Sequence, residues 1–331
     1  MLLYVIALLP ILVYVLVVKA MDGFSLASWK RLISGFVWGA FCCGALFFAA
    51  RTTGYENPVL STFLEEFLKC IPLVWAICRK RVAFLAEAII YGTAIGAGFA
   101  FLENIVYMTL LPGFSLGDAI LRGFGTAVLH MGCTALYAAS AVTVSRVMAE
   151  KPFPLTLSAC CSAIVLPFAI HYVYNLFLLP EFLQLVLVIF LMTGLLLFIY
   201  DIDGKLIHKW LDSCISNDIS LLASIREGHL KDTSAGEYLL EMRRRFQPEV
   251  FFDICAYLGL YLEMSIAAKS RMIMKEAGMD IPTTPETHQE NLDRLAELKA
   301  LKKNIGMSGL MVLRPVINEK AVDEWVMGEL L

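Results

Sequence analysis

Charged side chains are what this sequence has least of. Only 17% of its 331 residues are Asp, Glu, Lys or Arg, against roughly 25% in soluble domains. Apolar residues make up 59% and the mean hydropathy is +0.71, so the composition excludes an ordinary soluble fold and indicates a membrane protein. The formal net charge of −3 argues against a nucleic-acid partner.

Several common sequence signatures are missing as well. There is no HExxH zinc motif, no glycine-rich nucleotide loop and no CxxC pair. The nine cysteines lie mostly in apolar segments, where they are typical packing residues rather than redox or metal sites. We therefore expect no cofactor.

The charges divide the chain into two parts. Residues 1–200 carry 11 Lys+Arg and 9 Asp+Glu, whereas residues 201–331 carry 16 and 21. The first part has a net charge of +2 and the second −5. This predicts a polytopic transmembrane domain over residues 1–204 and a cytoplasmic helical domain of unknown role over residues 205–331.

Seven apolar windows are long enough to cross a bilayer, which takes about 20 residues each. They lie at 2–18, 32–50, 58–77, 82–111, 120–145, 155–179 and 183–200. Basic residues cluster in alternate connections: Lys19, Lys30 and Arg31, then Arg79, Lys80 and Arg81, then Arg146 and Lys151. The positive-inside rule puts the N-terminus outside. The prediction is an all-α membrane protein of about seven transmembrane helices (N-out, C-in) with a C-terminal cytoplasmic helical domain.

One apolar stretch of the second part resembles an eighth span. Helix signals predict a helix from Pro248 to about Gly278. Asp253, Glu263 and Lys269 interrupt its apolar run, which is nine residues at its longest and below membrane length. We interpret it as a buried helix of the cytoplasmic domain.

Four predicted spans carry an ionisable residue at one depth. Glu65, Glu103, His130 and His171 each lie eight residues from the outer end of a span, roughly 12 Å deep at 1.5 Å per residue. Ionisable residues within a bilayer usually face the protein interior and mark a functional site. Glu87, near an inner span end, is instead expected to reach the interface.

The chemistry of this layer suits hydrolysis. Glu65 and Glu66 are adjacent, and Lys69 is placed for an ion pair with either. His171 and Asn175 are four residues apart and share a helix face, as do Phe99 and Glu103. A carboxylate base for water, with imidazole and amide donors for an oxyanion, is a workable hydrolase arrangement. The spacings equally allow structural ion pairs, and His130 alone equally fits a hydrogen bond between helices.

Residues 1–200 contain four short motifs in this order: "EEFLK" at 65–69, "FAFLE" at 99–103 extended by Asn104, a lone His130, and "HYVYN" at 171–175. These motifs resemble those of the PrsW family of glutamic-type intramembrane proteases, relatives of the CAAX prenyl endopeptidase (Abi) superfamily. The CAAX pattern has His where this chain has Glu103, which favours the PrsW branch.

The resemblance implies an intramembrane endopeptidase of a bacterial inner membrane that acts in regulated intramembrane proteolysis. It assigns the catalytic water to Glu65 and Glu66, with Glu103 and His130 alongside. His171 and Asn175 would bind the substrate carbonyl or oxyanion. The supporting residues are Lys69, Phe99 and Asn104.

Two alternatives stay open from the sequence. A membrane transporter or sensor would use the Glu/His layer for proton relay or ion binding, although the inverted repeats of many transporters are not apparent. Glu and His are also zinc ligands, but the intact Glu pair and His–Asn pair suit acid–base work, so we predict a metal-free site. The expected partners are the lipid bilayer, a single-span membrane-protein substrate, and a cytoplasmic partner or second copy bound by the C-terminal domain.

Overall fold

The described part of the chain is almost entirely helical. A computed structural model describes residues 2–22, 26–54, 57–79, 81–82, 84–110, 112–148, 151–279, 282–317 and 327–328, and no strand occurs among them. The α-helices are α1 Leu2–Ala20, α2 Trp29–Thr53, α3 Pro58–Cys78, α4 Leu85–Leu110, α5 Leu116–Ile120, α6 Ala127–Val147, α7 Phe153–Ser162, α8 Val165–Asn175, α9 Glu181–Arg226, α10 Ser234–Arg243, α11 Pro248–Glu276 and α12 Pro285–Leu313. A π-helical segment, Leu121–Thr126, joins α5 to α6. Lys80, used above for orientation, lies outside the described residues.

Seven helical segments among the described residues are long and apolar enough to cross a membrane, when α5 with α6 and α7 with α8 are each counted as one segment. This confirms the predicted all-α membrane fold. Six of them coincide with predicted spans. The remaining predicted span is α3. Its three charged residues, Glu65, Glu66 and Lys69, are too many for α3 to be identified as a membrane span from length and composition alone. The seventh candidate is α11. Its length and composition allow it to span the membrane, whereas its short apolar run predicts a cytoplasmic helix.

Helices α4 and α6 form the centre of the first compact unit, Met1–Gly204. Every residue from Leu85 to Ala100 and from Ala127 to Ala139 is buried. Glycine allows this density, because a Cβ at Gly96 would overlap the backbone oxygen of His130 across the α4–α6 contact. By contrast α1, α2 and α9 expose large apolar side chains such as Leu16, Phe48 and Phe190, as expected of surfaces that face lipid.

The predicted span at 155–179 is two helices rather than one. Helix α7 ends at Ser162 and α8 begins at Val165, with a two-residue turn at Ala163 and Ile164. Helix α8 packs against α3 and α6. The break redirects the chain so that α8 alone carries the "HYVYN" motif.

Two buried carboxylates hold the predicted inner end of α4. Glu87 is fully buried and pairs with Arg31 of α2, so the expectation that it reaches the interface is wrong. The Asp203 carboxylate accepts a hydrogen bond from the backbone N–H of Ala86 at 2.8 Å and lies 3.7 Å from Arg146. An acidic side chain at this position stabilises the helix N-terminus.

The second compact unit is Lys205–Leu331. Thr233 caps α10 by accepting from the backbone N–H of Gly236 at 3.1 Å, and Pro248 opens α11. Helix α12 continues to Leu313 but is broken at Gly306, whose φ is +60°. Asp218 accepts from Lys269 at 2.7 Å and from Ser265 at 2.9 Å, which ties the end of α9 to α11.

Candidate active site

Helix α3 presents one polar, buried face. Asn57 caps the helix by accepting from the backbone N–H groups of Val59 and Leu60. Four residues of α3 are separated by four, three and four positions, so they lie on the same side of the helix. All four are buried: Thr62, Glu66, Lys69 and Leu73. Glu65 lies about 100° away from Glu66 around the helix, and 17% of its side chain is exposed.

Glu66 is a carboxylate with two close, buried partners. Its Oε1 lies 2.5 Å from Lys69 Nζ and 2.7 Å from His171 Nδ1, and all three side chains are buried. A carboxylate can only accept, so the Nδ1 of His171 carries a hydrogen that it donates to Glu66. The Nε2 of a neutral His171 is therefore a hydrogen-bond acceptor.

His130 continues the contacts from α3 to α4. Lys69 Nζ lies 3.1 Å from His130 Nδ1, and His130 Nε2 lies 3.2 Å from Glu103 Oε2. The Phe99 ring lies against both groups, 4.7 Å from Lys69 Nζ and 4.8 Å from the imidazole. The ammonium thus sits on an aromatic face between a carboxylate and an imidazole, in surroundings that favour a cation.

Glu65 faces the same cluster with fewer partners. Its Oε1 accepts from Ser61 Oγ at 3.2 Å, and its Oε2 lies 3.8 Å from His171 Nε2. That distance is too long for a direct hydrogen bond and suits one bridging water.

Asn175 stands at the margin of the cluster. It is exposed at the end of α8, one turn beyond His171, and donates from Nδ2 to Thr62 Oγ1 at 3.2 Å. The amide nitrogen has a second N–H. The contact also adds Thr62, which the sequence did not single out, to the surroundings of the site.

Arg122 is the main residue that sequence reasoning missed. Read from the sequence it lies at the outer edge of a span, whereas its Nη2 lies 2.8 Å from Glu103 Oε2 and its Nε 3.3 Å from Asn104 Oδ1. Asn104 is buried and also donates to the backbone oxygen of Ala7 at 2.9 Å. The sequence contains one sign that Arg122 is special: arginine is scarce in the connections that are predicted to lie on the outer side.

The structure therefore brings most of the predicted site residues into one connected group. Contacts join Glu65, Glu66, Lys69, Phe99, Glu103, His130 and His171. Asn104 joins this group through Arg122, and Asn175 joins α3 through Thr62. Residues from α3, α4, α6 and α8 contribute, so the group exists only in the folded chain.

Residues 27–200 match a family model described as PrsW family intramembrane metalloprotease. The chain belongs to the PrsW family. No curated protein and no solved structure matches it. The match covers all four PrsW-like motifs, and membership in this family supports intramembrane proteolysis by a multi-pass membrane protein.

The description of the family as metalloproteases raises the question of a metal. Among the described residues, Glu65, His130 and His171 offer ligand atoms within 4.8 Å of one another. Both ring nitrogens of His130 are engaged, however, one by Lys69 and the other by Glu103. A metal on either nitrogen would displace one of these partners and lie beside a buried ammonium of like charge.

Without His130, two of the three ligands remain, whereas catalytic zinc sites use three protein ligands. A catalytic metal at these residues would therefore require His130 to release Lys69 or Glu103 first.

Proposed function

We propose that this PrsW protein is a glutamic-type endopeptidase that hydrolyses a peptide bond of a membrane protein at the Glu/His layer. One observation carries the mechanism. Of the three carboxylates in the layer, Glu66 is paired with Lys69 and Glu103 with Arg122. Glu65 has no Lys or Arg within ion-pair distance among the described residues, and it faces the acceptor nitrogen of His171. It is the carboxylate most able to take a proton from water.

The catalytic water lies between Glu65 Oε2 and His171 Nε2. Glu66 fixes the tautomer of His171 through Nδ1 and so orients Nε2 toward that water. As the water oxygen attacks the carbonyl carbon of the substrate, its proton passes to Glu65. The second N–H of Asn175 donates to the developing oxyanion, and Glu65 then returns the proton to the leaving amine as the C–N bond breaks.

The remaining charged groups hold this arrangement in place. Lys69 compensates Glu66 in a buried setting where an unpaired carboxylate is costly. Glu103 accepts from His130, and the His130 ring packs at right angles to that of His171 with centroids 4.8 Å apart. These residues position the reacting groups and do not themselves transfer the proton.

The test compares cells that express the wild-type chain with cells that express Glu65→Gln. We expect fragments of one or a few single-span membrane proteins to appear with the wild type alone. The purified enzyme in liposomes should cleave those proteins, and Glu65→Gln should abolish cleavage without unfolding the chain, because glutamine keeps the size but loses the base. Glu181→Gln, at an exposed residue of α9, is the matched control. Equal cleavage by Glu65→Gln would overturn the proposal.

A chelator separates the glutamic from the metal mechanism. In the metal-free mechanism, cleavage by the wild-type enzyme survives prolonged dialysis against a zinc chelator. Loss of cleavage on dialysis, with recovery on adding zinc, would assign Glu65 and His171 to a metal and contradict the role given to Glu65.

A further inference from the structure

Arg122 has an unusual position for an arginine at the end of a predicted span. It lies in the π-helical segment Leu121–Thr126, which interrupts the long helix from Leu116 to Val147. Only 17% of its side chain is exposed. Short π-helical segments within α-helices often occur at functional sites, because they redirect side chains that a regular helix would present elsewhere.

All three groups that Arg122 contacts belong to the outer half of α4. The guanidinium pairs with Glu103 and donates to Asn104, as described above, and it stacks on the Tyr107 ring at 3.5 Å from the centroid. A planar guanidinium suits this combination of ion pair, hydrogen bond and aromatic contact, and lysine does not.

Arg122 influences His130 through Glu103. The same oxygen, Glu103 Oε2, contacts both Arg122 Nη2 and His130 Nε2. With Arg122 beside it, Glu103 remains an ionised acceptor, so His130 carries its hydrogen on Nε2. The other nitrogen, Nδ1, is then free to accept from Lys69, which in turn holds Glu66 against His171.

We propose that Arg122 is a positioning residue: it neutralises Glu103 and thereby fixes the tautomer of His130 and the placement of Lys69 within the site. The rate effect expected of Arg122 rests on the proposed function, whereas its effect on the His130 tautomer does not. The proposal adds a residue outside the four motifs to the machinery of the site.

The first test compares cleavage rates of the variants in liposomes. The substrate is the single-span protein identified by comparing cells that express the wild-type chain with cells that express Glu65→Gln. Arg122→Met should slow cleavage about 10- to 100-fold, the size usual for residues that orient a ligand or catalytic group through another residue. Arg122→Lys should be intermediate. Adding Glu103→Gln to Arg122→Met should restore much of the rate, because a neutral amide needs no cation. Arg51→Met, at an exposed arginine at the end of α2, should match the wild type.

The second test reads the tautomer directly and needs no substrate. Protein labelled with ¹⁵N-histidine in lipid should show a His130 ring signal of the Nε2–H form, assigned by its loss in His130→Gln. Arg122→Met should change this signal and Arg51→Met should not.

Unchanged His130 signals in Arg122→Met would overturn the proposal, as would a double variant no faster than Arg122→Met alone. If the wild-type chain cleaves nothing, the proposed function fails, and the ¹⁵N signals still decide the role of Arg122.

Discussion

Lys69 shows how far one residue can be interpreted from sequence. Its spacing predicts an ion pair with Glu65 or Glu66, and the resemblance to the PrsW family implies a supporting role. The structure selects Glu66, buries the ammonium completely and adds His130 and Phe99 as partners. Spacing along one helix identifies neighbours on that helix, whereas contacts with α4 and α6 depend on packing that no local pattern encodes.

We expect Lys69→Met to be strongly destabilising. The change leaves Glu66 buried and without its cation, and breaking a buried pair in this way typically costs about 3–5 kcal/mol. The midpoint of thermal unfolding in detergent micelles should fall clearly for Lys69→Met and recover in Glu66→Gln/Lys69→Met. Lys30→Met, at an exposed lysine of α2, should leave the midpoint unchanged. A stable Lys69→Met would mean that Glu66 is not ionised in the fold.

At the scale of elements, the contact between α4 and α6 brings the Glu103 and His130 side chains together. It depends on the absence of a side chain at Gly96, next to the His130 backbone. Glycines in this span allow close packing by a neighbouring helix, but the sequence does not indicate which neighbour approaches. It also did not predict the break between α7 and α8 or the π-helical segment, because both preserve overall apolar composition.

Gly96→Ala should therefore impair the site without altering any charged residue. The added methyl group must push the His130 backbone away from α4, which lengthens the distance between His130 and Glu103. We expect slower cleavage and a lower unfolding midpoint. Gly194→Ala is the control, since a Cβ there meets nothing within 4 Å and alanine favours the helix by roughly 0.5–1 kcal/mol. Equal behaviour of the two variants would show that α4 and α6 have room to separate.

Across the whole molecule, the sequence predicted the helical class, six of the seven candidate spans and a layer of ionisable residues at one depth, and the side chains of that layer meet in the structure. The shared depth of Glu65, Glu103, His130 and His171 carried that convergence, since residues at equal depth on packed helices can meet. Depth does not fix direction around a helix, which is why Arg122 was missed and why the exposure of Asn175 was not foreseen. Length and composition leave α3 out of the candidate spans and admit α11, whereas the sequence predicts the reverse for both helices.

The orientation N-out, C-in and the cytoplasmic position of residues 205–331 remain predictions, and α11 decides between two arrangements. We expect α11 not to cross the membrane, because Asp253, Glu263 and Lys269 interrupt it. Topology reporters fused after Gly228 and after Met279 should then report the cytoplasmic side alike. Opposite sides would make α11 a membrane span and place the C-terminal end outside.

The pairing of Glu66 with Lys69 inside one helix has a consequence for biosynthesis. Helix α3 leaves the ribosome before α4, α6 and α8, so Glu66 and Lys69 meet the translocation machinery before Glu103, His130 and His171 have been made. Charges that had to wait for partners on later helices would oppose insertion. Because the two groups are three residues apart, each neutralises the other during that interval, and the later helices receive a segment already compensated.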